Sequence, residues 1–156
     1  MENVINVVNF MLSKGSYTPK QIQKMLYYAY SLYLIKNNDE YNVNNMNKIF
    51  DAKFEAWQHG PVIRKVYDYM KNFGSSNTCM TNGNKAYLNQ KRNEVFIEKI
   101  LMVFGRFSGA ELENMTHLED PWINAYKPQE NTKICNNEIT DEAIFNYYYS
   151  KYKVNS

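Results

Sequence analysis

TPKQIQKMLYYAYSLYLIK, residues 18–36, decides how this chain folds. Thr18 has the side chain of a helix N-cap, Pro19 suits the first helical position, and Gln21 completes a capping box. Ile22, Met25, Leu26, Ala29 and Tyr33 then recur along one helical face. Tyr27, Leu34 and Ile35 cover the opposite face, so the helix is apolar on nearly all sides. A helix of that kind belongs at the centre of a domain, with other helices packed around it.

The flanking sequence supplies those neighbours. Residues 2–13 place Val4, Ile5, Val8 and Leu12 at helical spacing. After the central helix comes a polar loop, NNDEYNVNNMN (37–47), and then FEAWQ (54–58), whose residues alternate as in a short strand. Gly60-Pro61 is expected to stop that strand, with Pro61 opening a third helix. Val62, Val66, Tyr69, Met70 and Phe73 would share its buried stripe, leaving Arg64, Lys65, Asp68 and Lys71 outward. Residues 74–86 are turn formers and read as a mobile loop. A fourth helix is expected from about Gln90 to Phe104, ended by Gly105. Ser108 and Glu111 form a second capping box for a short helix ending near Met115, and Asp120-Pro121 starts another. Thr140-Asp141 caps the last helix, with Ile144, Phe145, Tyr148 and Tyr152 on one side. The fold class is mainly α, a compact helical domain over residues 1–156 with one small β element near 54–58.

Totals narrow the function. The net charge is +2, too small to expect specific nucleic-acid binding. TPKQIQKMLYYA could open a helix-turn-helix, but the long Asn-rich loop that follows leaves no room for a recognition helix after a short turn. Cys79 and Cys135 form no CxxC pair. The N-terminus lacks a basic signal-peptide region, and the longest apolar run, Met25 to Ile35, is far below the roughly 20 residues of a membrane span. The expectation is a soluble, cytoplasmic protein without membrane contact. No GxSxG and no phosphate-binding Gly-rich loop is present.

His59 and His117 are the only histidines, so a histidine-based site is quickly enumerated. With Glu55, Glu119 and Asp120 they could form a two-His, carboxylate metal set, though no HExxH-like spacing supports one. The favoured reading makes both histidines structural corners, with no catalytic residue, metal or cofactor. Glu111 and Glu113 read as a solvated helix face. Trp57 and Trp122 are expected to be largely buried. The groups left to meet a partner are Arg64, Lys65 and Lys71 of the third helix and the outward Tyr147 and Tyr149.

Four stretches together carry a family resemblance: KMLYYAYSLYL (24–34), FEAWQHGPVIRKVY (54–67), FGRFSGAELENMTHLEDPW (104–122) and NNEITDEAIFNYYYS (136–150). In this order and spacing they resemble the Panacea domain of SocA-like antitoxins and phage-associated GepA-like proteins, over about residues 18–150. Asp120 before the proline and Met25 within the KMLYY segment are departures from the usual pattern. The resemblance implies a compact, mainly helical fold. It also implies an antitoxin that neutralises a toxin by direct protein contact, with no catalytic residues. Glu55, Trp57, His59, Gly60, Pro61, Thr116, His117, Pro121 and Trp122 are then motif residues of structural role. About 17 residues precede the matching region, too few for the extra DNA-binding domain many relatives carry. The alternative is a phage or mobile-element protein that inhibits a host defence protein, and a metal-dependent enzyme is a minor third reading. In each non-enzymatic case the partner is a protein, either masked or handed to a protease. Its identity and the oligomeric state stay open.

Overall fold

The computed structural model describes residues 1–71 and 83–154. At its centre lies α2 (Pro19–Asn37), started by the expected capping box. The Thr18 hydroxyl accepts from the Gln21 N–H, and the Gln21 side chain accepts from the Thr18 N–H. Ile22 through Ser31 is buried without interruption, so the helix has no solvent face there. Around it pack α1 (Val4–Lys14), α3 (Arg64–Met70), α4 (Lys91–Phe104), α5 (Gly109–His117) and α7 (Asp141–Tyr149). A short α6 (Asp120–Ala125) bridges α5 and α7.

Much of the tyrosine content goes into this core. Tyr27, Tyr28, Tyr30 and Tyr148 are buried with Phe50, Phe54 and Phe104. Tyr28 stacks on Phe104 at 4.5 Å, and Tyr27 meets Phe54 edge-on at 5.2 Å. Such pairs contribute about 0.5–1.5 kcal/mol beyond their buried area.

The β element is larger than one strand. β1 (Phe54–Trp57) pairs antiparallel with β2 (Gly60–Ile63), in the register Phe54↔Ile63 to Trp57↔Gly60. A two-residue β3 (Glu138–Ile139) adds to the other side of β1, giving the order β2-β1-β3. Pro61 therefore does not open a helix. It lies in β2 opposite Ala56, and an edge strand tolerates its missing N–H. The reversal falls on Gln58-His59, followed by Gly60 at φ +107°, a left-handed conformation that favours glycine. The helix begins only at Arg64, where the buried Gln23 side chain clamps Ile63. Its amide N–H donates to the Ile63 carbonyl at 3.1 Å, and its oxygen accepts from the Ile63 N–H at 2.9 Å.

Most other boundaries follow the capping signals. Ser108–Glu111 forms the second capping box, and Thr140 caps α7 by accepting from Ala143. Tyr152 departs from the expected stripe. The last turn widens into a π-helix (Ser150–Val154), leaving Tyr152 44% exposed with its ring stacked on Tyr148. Trp57 and Trp122 are half-buried, and Trp122 packs against the core as expected. Most of the 74–86 segment, read as a mobile loop, lies outside the described residues, as does Phe73.

One helix entry is fixed from far away in the chain. The N-cap of α4, Gln90, makes no side-chain cap bond of its own. The buried Glu2 carboxylate fixes the approach to the helix instead, accepting from the backbone N–H groups of Asn89 (2.9 Å) and Gln90 (3.3 Å) and from the Asn93 side-chain amide (2.7 Å). Glu2 is itself fixed by its N–H to the Ile49 carbonyl at 2.7 Å.

Candidate functional site

The β1–β2 turn is where the sequence motifs meet. Gly60 sits against α2 and α5 so closely that an added Cβ would lie 2.6 Å from Lys24 Cε and 2.9 Å from Thr116 Oγ1. Lys24 is 1% exposed, and its ammonium donates to the Pro61 carbonyl at 3.0 Å. Burial pushes that amine down to about 7. Glu113 pulls the other way, and the Lys20 charge adds to the lowering.

Beside it, Glu113 of α5 faces His59 Nδ1 at 2.8 Å and the Lys20 ammonium at 3.0 Å. Burial alone would raise this carboxyl, but Lys20 and the two histidines outweigh it and hold it below the ordinary range. Glu113 is thus not the solvated carboxylate expected of it. Glu111 does face out, as the capping partner of Ser108. His117 stacks on Trp122 at 3.9 Å, and Trp122 on Tyr126 at 4.6 Å. Burial lowers the His117 pKa, which favours the neutral ring. Trp122 Nε1–H donates to the Trp57 carbonyl at 2.8 Å, tying α6 to the end of β1 while Pro121 is buried beneath.

The outer side of the hairpin carries two aromatic rings in contact, flanked by a cation at each end. The Arg64 guanidinium lies 5.1 Å over Trp57, and Trp57 meets Tyr67 edge-on at 5.0 Å. The Lys71 ammonium lies 5.8 Å from the Tyr67 ring centre. Glu55 fixes the near end, accepting from Trp57 Nε1–H and pairing with Arg64 at 3.2 Å. Tyr67 is 44% exposed. Between this row and the start of α2 opens a groove of about 580 Å³, walled by Pro19, Trp57, Val62, Tyr67 and Met70.

The remaining residues expected at a partner surface are dispersed. Lys65 lines a different cleft with Lys48 and Lys53. Tyr147 is half-buried, edge-on to Tyr148 and under Lys151, in a third cleft with Asp120 and Asn124. Tyr149 stacks on Phe145 rather than standing free.

The metal set does not assemble. Glu55 is taken by Arg64 and Trp57. Glu119 is buried, its Oε1 accepting from the Tyr148 hydroxyl at 2.6 Å and the Tyr28 hydroxyl at 3.1 Å. Burial raises the Glu119 pKa, against the pull of those hydroxyls and Lys151. Among the described residues no group of three or more His, Cys, Asp or Glu side chains could hold a metal ion. No helix among them is long and apolar enough to cross a membrane.

Residues 22–123 match the family described as antitoxin SocA-like, Panacea domain. The chain belongs to this family. The matched stretch runs from α2 to α6 and contains most of the turn site, from Lys24 to Trp122, with Lys20 and Tyr126 just outside it. No curated protein and no solved structure matches the chain. Within this Panacea domain, the sequence reading passed over Lys24 and Gln23 and placed Glu113 on a solvated face. The first had a visible signal, a charge inside a helix otherwise apolar on all sides.

Proposed function

We propose that this Panacea-domain chain is the antitoxin of a toxin–antitoxin pair, acting in the cytoplasm without catalysis by masking its partner through direct contact. The observation that supports the reading most is the Arg64–Trp57–Tyr67–Lys71 row beside an open groove. Tryptophan, tyrosine and arginine are the residues that dominate binding energy at protein interfaces. Here they are held rigid by Glu55 and one another, so little side-chain freedom is lost on docking. The carboxylates behind the row are occupied with the fold: Glu113 with Lys20 and His59, Glu119 with two tyrosines. That disposition suits a binding surface better than a reaction centre.

The test is co-expression with the product of the neighbouring reading frame in the native genome. Growth should be rescued and the two chains should co-purify, with the amount of toxin unchanged. Trp57→Ala with Tyr67→Ala should abolish both rescue and co-purification while the protein stays folded. Rescue accompanied by loss of the toxin would instead indicate delivery to a protease.

A further inference from the structure

We propose that the groove between the start of α2, the β1–β2 hairpin and α3 seats a partner segment in which an apolar side chain is followed by carboxylates. The inference rests on the protein-partner reading above and names the chemistry of the contact. The walls accept the apolar group: Val62 and Met70 are buried there, Trp57 is half-buried and Tyr67 stands open.

Among the described residues, the basic groups lining the groove are Lys20, Lys24, His59 and Lys71, and no carboxylate lines it. Two nearby carboxylates answer only part of that charge. Glu113 is shared between Lys20 and His59, and Asp68 pairs with Lys71 in an exposed ion pair of little strength. Lys24 has no ion-pair partner among the described residues. Its three N–H donors meet a single acceptor, the Pro61 carbonyl, at the buried end of the groove. A buried ammonium in that state is under-satisfied, and a carboxylate is the ligand that completes it. Complementary charge of this kind also steers encounter.

The probe is a blocked hexapeptide containing one phenylalanine followed by two glutamates. Controls are its glutamine isostere and its lysine counterpart, and binding is read by NMR on isotope-labelled full-length protein. The glutamate peptide is expected to shift the Trp57 indole N–H and the Lys20 and Met70 signals saturably. The isostere should bind about 10-fold more weakly, equivalent to about 1.4 kcal/mol. Lys24→Met should reduce that preference to within about two-fold. Because Lys24→Met could disturb the hairpin, Lys71→Glu, at an exposed site, is the second variant and should weaken the glutamate peptide alone. Equal binding of peptide and isostere, shifts centred elsewhere, or no saturable shift overturns the proposal. A toxin complex that survives Lys71→Glu and Tyr67→Ala overturns the groove and leaves the antitoxin reading standing. Peptide binding without toxin rescue does the reverse.

Discussion

Lys24, on the central helix, and Glu119, packed against it, are both buried ionisable groups, yet they are completed differently. Glu119 is enclosed by α6 and α7, and one of its oxygens takes two tyrosine hydroxyls while Lys151 stands 3.7 Å from the other. Lys24 has one carbonyl for three donors and lies at the end of a groove. Burial disfavours the charge on both. Burial alone therefore does not tell scaffold from binding site; the difference is whether the polar neighbours are already in place.

Removing the Glu119 carboxylate should do the most damage. Glu119→Ala leaves two buried hydroxyls without their acceptor and is expected to lower unfolding free energy by on the order of 2–5 kcal/mol in urea titrations. A loss under about 1 kcal/mol would mean that the hub is not a closed network, and the contrast with Lys24 would fail.

Lys24→Met comes next, with a sign that depends on pH. In the fold the amine titrates near 7, against 10.5 for the ordinary group. Its contribution to stability is therefore complete above the unfolded value and is lost as pH falls through the folded one. The parent should fall behind the Met variant at pH 6 by on the order of 1–3 kcal/mol relative to their difference at pH 10. Glu113, Lys20 and His117 face the same amine, so a parallel pH response in both proteins would assign the effect to them.

Trp57→Ala should cost only about 1–2 kcal/mol, because the ring is half-buried, yet it should remove most toxin affinity. Differential scanning calorimetry beside a binding titration separates the two effects. A loss of stability as large as that of Glu119→Ala would move Trp57 to the scaffold side of the comparison.

The smallest change is expected for Glu119→Gln. The amide oxygen can still accept from both tyrosines, so stability at neutral pH should stay within about 1 kcal/mol of the parent. A carboxyl with a raised folded pKa contributes fully below its unfolded value and loses that contribution as pH rises through the folded one. The difference between parent and variant should thus move in favour of glutamine from pH 5 to pH 8, measured by denaturant midpoint.

The helical part of this architecture was legible wherever a local cap announces a helix. Thr18, Ser108 and Thr140 each act within three residues of themselves, and all three were read correctly. The hairpin was not legible, because Pro61 next to an apolar stripe is also a good helix start. What decides against the helix is non-local: pairing with β1, and the Gln23 clamp 40 residues away. β3 has only two residues, too few to show alternation. Family motifs pointed to the correct corner, but side-chain pairing across elements, such as Glu113 with His59, leaves no periodic trace in a sequence.

The Glu2 hold on the entry to α4 has a consequence for the order in which the protein is made. Glu2 leaves the ribosome 88 residues before Gln90, the residue whose N–H it holds. The first turn of α4 closes on its own Gln90 carbonyl, but the approach to it is fixed only when a carboxylate synthesised long before is brought back to it. A nascent chain halted anywhere ahead of residue 90 leaves the Glu2 carboxylate without its target. For the same reason, a change at Glu2 would be felt at the entry to α4, 88 residues further on.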